Sequence, residues 1–156
     1  MKFEKDTRGI KRYIAFDIHK EYALVGGQNA QQEWVMAPRR IGMEKLREWA
    51  KANLGKGDAV VIETTTNVWD VYDIVEPRVS YTVVAHAGGV RQIAEARVKT
   101  DKKDIERLIR LLIAASLQRR INGHDGAEHV LLDGAGLHAL ECIARLVHLF
   151  VRGDVG

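Results

Sequence analysis

The chain has 156 residues, 46% of them hydrophobic and 29% charged, enough to bury a core in one domain. A disordered tail and a collagen-like chain are excluded by those fractions. Lys and Arg number 24 against 21 Asp and Glu, a formal charge of +3 that permits a nucleic-acid partner without requiring one.

Residues 12–18 predict a strand, rich in β-branched and aromatic side chains, with Asp17 inside the apolar run. A second strand is expected over 22–25, ended by Gly26-Gly27-Gln28-Asn29 as a turn signal. A third is expected near 33–36, stopping at Pro38, which makes an antiparallel meander. A helix over 42–53 carries Met43, Leu46, Trp49 or Ala50, and Leu54 at helical spacing. Residues 59–62 form a continuous apolar run, as in a buried parallel strand, and close on Glu63. Thr66 and Asn67 are cap candidates for a helix bearing Trp69, Tyr72 and Val75, which Pro77 stops.

A fifth strand is expected over 81–85 and a helix over 90–97. The longest helix, 99–117, has Leu108, Leu111, Leu112 and Ala115 on one stripe. The order β-β-β-α-β-α-β-α predicts an α/β domain with a mixed sheet, an order also found in RNase H-like domains. Residues 118–126 keep neither period, and 137–152 carry one more helical pattern. The expected organisation is therefore a domain over 12–117 and a divergent tail over 118–156.

Four acids stand out by position. Asp17 lies inside the first strand, Glu63 closes the fourth, and Asp101 and Asp104 open the long helix. A carboxylate in a buried strand costs roughly several kcal/mol unless something neutralises it. Asp101 and Asp104 are three apart, so on a helix they point to nearly the same side. If the first and fourth strands are neighbours, these acids converge at one sheet edge. An all-oxygen cluster of this kind suits Mg²⁺ or Mn²⁺, and two such ions about 4 Å apart activate a water or hydroxyl and stabilise the leaving oxygen at a phosphodiester. Taken singly, each acid has a plainer explanation: Asp17 a hydrogen-bonded edge residue, Glu63 a strand end, Asp101 a helix N-cap with Asp104 favoured by the helix dipole.

Lys99-Thr100-Asp101-Lys102-Lys103-Asp104 resembles the Lys-Thr-Asp-Lys-x-Asp signature of the DEDD transposases of the IS-one-ten class of insertion sequences, relatives of the Piv and MooV DNA invertases. Residues 13–20, around Asp17, resemble the opening strand of that family, and Glu63 with the threonines after it resembles its Glu-x-Thr segment. The match covers roughly residues 13–115. The resemblance implies a RuvC-like domain of the RNase H fold in which Asp17, Glu63, Asp101 and Asp104 bind Mg²⁺ or Mn²⁺, two ions in all, for DNA strand cleavage and exchange. It also implies DNA as partner, a structured guide RNA for some members, and a homo-oligomer in full-length form. Family members continue into an arginine-rich region and a second domain with a nucleophilic serine. The text after about Ala115 does not look like the family's, so a truncated or frameshifted copy is expected. Ser80 and Ser116, the two serines, lack a nucleophile's context.

Arg91, Arg97, Lys99, Lys102, Lys103, Arg107 and Arg110 crowd the acid motif, and Arg97, Lys99, Lys102 and Lys103 are candidates for phosphate contact. A solvated helix face is the plainer reading. Arg39 and Arg40 are a second, weaker patch. His19 and His86 are read as surface residues, Trp34, Trp49 and Trp69 as packing residues, and Gly134-Ala135-Gly136 lacks the setting of a dinucleotide loop. Cys142, the one cysteine, has no partner for an internal disulfide or a zinc finger and reads as a small core residue of a protein from a reducing compartment. The charged start and the lack of any ~20-residue apolar window predict a soluble, cytoplasmic protein with no membrane partner. Competing functions are a freestanding RuvC-like nuclease such as a Holliday-junction resolvase, an actin-like ATPase that should carry glycine-rich phosphate loops, and a non-catalytic remnant that binds nucleic acid.

Overall fold

The computed structural model describes residues 9–64, 68–86, 100–121 and 130–132. In chain order the elements are β1 (Arg12–Ile18), β2 (Tyr22–Gln28), β3 (Trp34–Gly42), a 3₁₀ turn (Met43–Lys45) and α1 (Leu46–Asn53). They continue with β4 (Asp58–Thr64), α2 (Val68–Val75), a second 3₁₀ turn (Glu76–Arg78), β5 (Tyr81–His86), α3 (Asp101–Ile121) and β6 (Val130–Leu132). One mixed sheet runs in the order β3-β2-β1-β4-β5-β6. The first three strands pair antiparallel, and β1, β4, β5 and β6 run parallel. This is the α/β domain with a mixed sheet that the chain order predicts.

Strands alternate their side chains between two faces, and both faces of β1 and β4 are covered. Ile14, Phe16 and Ile18 with Val60 and Ile62 pack against Leu46 of α1 and Val68, Val71, Tyr72 and Val75 of α2. Tyr13 and Ala15 with Ala59 and Val61 pack against α3. That two-sided burial is why both strands read as unbroken apolar runs. α3 is more deeply embedded than one stripe requires. Ile105, Leu108 and Ile109 are fully buried, and every residue from Leu111 to Ala115 is buried. Each such large side chain contributes about 1.5–3 kcal/mol.

At the amino end of β1 and β4, Arg12 makes a two-pronged bond to Asp58, Nε to Oδ1 and Nη2 to Oδ2, both 2.7 Å. The same Nη2 donates to the Asn53 carbonyl at 2.7 Å, and the Gly55 amide donates to Asp58 Oδ2 at 2.8 Å. This buried ion pair ties β1, the end of α1 and β4 together.

Several expectations change. Gly26, Gly27 and Gln28 do not turn the chain but remain in β2. A Cβ on Gly26 would lie 2.8 Å from Cγ2 of Ile105, so glycine is needed for the close approach of α3. The reversal comes at residues 29–33, where Asn29 Oδ1 accepts from the Gln31 and Glu33 amides at 3.0 Å each and Gln32 takes φ +62°. β3 does not stop at Pro38. It is the edge strand, and Val25 pairs with Arg39 while Gly27 pairs with Met36, so Ala37 and Pro38 bulge opposite Gly26. A proline there removes no ladder bond that the sheet needs.

The helix expected from 42 begins as the 3₁₀ turn and becomes α-helical at Leu46. α3 runs to Ile121, and β6 pairs with β5, so the sheet takes in three residues of the stretch expected to be a tail. Trp69, expected to pack, is 54% exposed, because the buried face of α2 is made by Val68, Val71, Tyr72 and Val75. The expected helices over 90–97 and 137–152, the cap at Thr66 or Asn67, and Cys142 lie outside the described residues. Among the described residues no helix is long and apolar enough to cross a membrane.

Candidate functional site: an acidic sheet edge under the first turn of α3

The register places one row of residues across the carboxyl end of β1. Arg40 of β3 pairs with Leu24 of β2, Leu24 with Asp17 of β1, Asp17 with Glu63 of β4, and Glu63 with Ala85 of β5. Residues paired across a ladder share a face. Leu24 and Ala85 belong to the core under α3, so Asp17 and Glu63 face α3 as well. The two acids that end adjacent parallel strands are thus side by side, as their positions in the sequence allow.

Glu63 is buried, and its neutralising partner is Arg107, one turn along α3 from Asp104. The Nη2 of Arg107 donates to Oε1 at 2.9 Å and to Oε2 at 3.1 Å. Its Nη1 is buried with no hydrogen-bond partner among the described residues, an unusual state for a guanidinium donor. Asp17, with a side chain 23% exposed, faces Nε2 of His19 at 3.2 Å.

α3 begins above this edge. Thr100 caps it, its Oγ1 accepting from the Lys103 amide at 3.3 Å, and its carbonyl accepts from the Asp104 amide at 3.1 Å. The cap is therefore Thr100, not Asp101. Asp101 and Asp104 both fall in the first turn, where the helix dipole favours negative charge. Asp104 is half-buried, while Asp101 is exposed and lies 3.4 Å from Nη2 of Arg40. All four acids expected from the sequence are thus carried by the three elements that meet at this edge.

The cations fall differently. Lys102 and Lys103 are exposed on the first turn of α3. Lys99, Arg97 and Arg91 lie outside the described residues. Arg107, expected on a solvated helix face, is turned in to Glu63. Arg40, expected in a separate patch, reaches Asp101 across the sheet. His19, expected at the surface, is 43% exposed and shared between Asp17 and the ring of Tyr22, on which it stacks at 4.5 Å. No sequence signal reveals the Arg107–Glu63 pair, because its members are 44 residues apart. His19 is legible in the sequence as the residue two past Asp17 at a strand end.

The donor set of four carboxylates has the chemistry that Mg²⁺ or Mn²⁺ takes. Among the described residues no three His, Cys, Asp or Glu side chains gather closely enough to hold one ion. Instead Glu63 holds Arg107 and Asp101 holds Arg40. The hydroxyls of both serines are bound to backbone carbonyls, Ser116 to Leu112 at 2.7 Å and Ser80 to Lys56.

No family model matches the chain, and no curated protein and no solved structure is found to be similar to it.

Proposed function

We propose that this chain is an RNase H-like, RuvC-like catalytic domain that cleaves and exchanges DNA strands, of the kind found in DEDD transposases and recombinases. The observation that carries the reading is the register of Asp17 on Glu63 beneath a helix whose first turn holds Asp101 and Asp104. The sheet order β3-β2-β1-β4-β5, with only β2 reversed against β1, β3, β4 and β5, supports it. Asp17, Glu63, Asp101 and Asp104 would hold Mg²⁺ or Mn²⁺, which when bound supplies an activated water or hydroxyl and stabilises the leaving oxygen. The chain's own part is to present the scissile strand to that edge, with Lys102 and Lys103 as phosphate contacts.

A second reading has a specific observation behind it. Arg107 on Glu63 and Arg40 on Asp101 already neutralise two of the four acids, as they would in a remnant that binds nucleic acid without chemistry.

Thermal unfolding against Mg²⁺ and Mn²⁺ separates the two. A ligand bound only by the folded state adds about 2.7 kcal/mol at one hundred times its Kd. The catalytic reading expects Tm to climb with metal in the wild type, and the rise to vanish in Asp17→Asn and in Asp101→Asn. A wild type indifferent to millimolar metal leaves the remnant reading. Nicking of supercoiled DNA by the wild type alone would favour a freestanding nuclease over a part of a transposase.

A further inference from the structure

The face that carries Asp17 and Glu63 does not end at them. Across β2 and β3, on the side towards α3, a band of aromatic rings and cations runs outward from the acids. His19 stacks on Tyr22 with ring centroids 4.5 Å apart and planes 19° from parallel. The guanidinium of Arg40 lies over the same Tyr22 ring, 4.8 Å from its centroid. Further out, Nζ of Lys102 lies 5.7 Å from the centroid of Trp34. Tyr22 and Trp34 pack their bodies on the core under α3 and are half-buried, whereas Arg40 and Lys102 are exposed. Each long cation is thus held by a ring, so ordering it on a ligand costs less conformational entropy than ordering a free side chain. Among the described residues the anion on Arg40 is the exposed Asp101 at 3.4 Å, a weak surface pair that another oxyanion can replace.

We infer that this band is a single-stranded DNA track that leads to the acid pair, with backbone phosphates on Arg40 and Lys102, a base on the exposed His19 ring, and further bases against the outer edges of Tyr22 and Trp34. Charge for the backbone and π-faces for the bases are what sequence-tolerant single-strand binding needs. The track lies on the β3 edge, away from β5 and β6, so it fixes the side from which a strand arrives. The inference rests on the proposed DNA-strand chemistry but names residues that the chemistry itself does not require.

Arg39 supplies the control. It is the neighbour of Arg40 in β3, yet it pairs with Val25 on the opposite face and lies over Trp49, 5.6 Å from its ring. The experiment is fluorescence anisotropy of a labelled oligothymidine with the full chain in millimolar Ca²⁺, at several salt concentrations. Arg40→Gln/Lys102→Gln is expected to weaken binding about 10-fold or more and to make the salt slope shallower by about 1.4, since each single-strand phosphate contact contributes about 0.7. Arg39→Gln is expected to bind as the wild type does. Equal losses in both variants would mean diffuse charge, and no loss in either would mean no track; each overturns the inference. A wild type that binds no oligothymidine overturns it together with the DNA reading. Metal-dependent stabilisation that survives alongside unaltered binding in Arg40→Gln/Lys102→Gln overturns the track alone.

Discussion

Arg107→Met is the most informative single change at the acidic edge. It keeps an apolar stem where Arg107 leaves the core of α3 and removes the cation from Glu63. The side chains of the pair are 23% and 11% exposed, and one nitrogen serves both carboxylate oxygens at 2.9 and 3.1 Å. Breaking a buried pair from one side costs about 3–5 kcal/mol, because a charge is left unpartnered. Partial exposure of Arg107 puts the expectation at the lower end, about 3 kcal/mol. In EDTA, urea unfolding should therefore show a clear fall in midpoint. A divalent ion that takes Glu63 competes with Arg107, so in Mn²⁺ the variant should recover most of that loss. The Mn²⁺ concentration giving half of the thermal shift should also fall about tenfold, equivalent to about 1.4 kcal/mol. Loss of the same stability with and without Mn²⁺, and an unmoved metal midpoint, would refute the reasoning and leave Arg107 a structural counter-ion.

Three other changes test the framework around the site. Arg12→Met strips Asp58, 2% exposed, of its two-pronged partner and, with Arg12 itself 32% exposed, should cost about 3 kcal/mol, read as a lower urea midpoint at unchanged slope; a cost below about 1 kcal/mol would contradict the pair's role. The hydrogen bond to Asp58 raises the Arg12 pKa against the opposing effect of burial, so its stabilisation is complete below the ordinary arginine range and is lost only as pH climbs through the raised value. Stability measured across neutral pH should show no step from Arg12. Gly26→Ala drives a Cβ to 2.8 Å from buried Ile105 and should cost about 1–3 kcal/mol while shifting α3, so its metal response should weaken together with its Tm. Burial, then Glu76 and Asp73, push the Tyr72 phenol upward; its stabilisation is present below the ordinary tyrosine range and lost as pH rises through the raised value. An alkaline absorbance titration should therefore lose one step above the ordinary tyrosine range in Tyr72→Phe, and an unchanged titration would count against that environment.

What could be read from the amino-acid order was the part governed by burial. β1, β4 and β5 announce themselves because strands covered on both faces carry no polar alternation, and Asp17 and Glu63 stand out against that apolar text. The first-turn acids are legible from their spacing and from the apolar residues that follow. The turn after β2 is not legible because glycine has two uses: Gly26 serves the approach of α3 at Ile105, not a reversal of the chain. Pro38 misled for a related reason, since whether a proline ends a strand depends on whether that strand is an edge. The neutralising arginines were invisible as partners. Arg40 and Arg107 meet their acids only through the sheet register and the rotation of α3, which no local pattern encodes. Trp69 shows the same limit, because an eight-residue helix offers several apolar residues and only packing decides which one stays outside.

The parallel pairing of β1 with β4 has a consequence in time. The hairpins β1–β2 and β2–β3 close over short connections and form from local contacts, whereas β4 must return to β1 across the whole α1 excursion. Asp17 and Glu63 are as far apart along the chain as Arg12 and Asp58, 46 residues, and both couples lie on the same two strands. Closing that distance carries a loop entropy that the meander does not, so it is the slower contact to make. One docking step therefore locks the buried ion pair at one end of the sheet and sets the two acids together at the other. A chain still emerging, with β1 to β3 formed and β4 unmade, holds Asp17 without Glu63. The half of the acidic edge that lies on the sheet is therefore assembled by the same event that forms the Arg12–Asp58 pair.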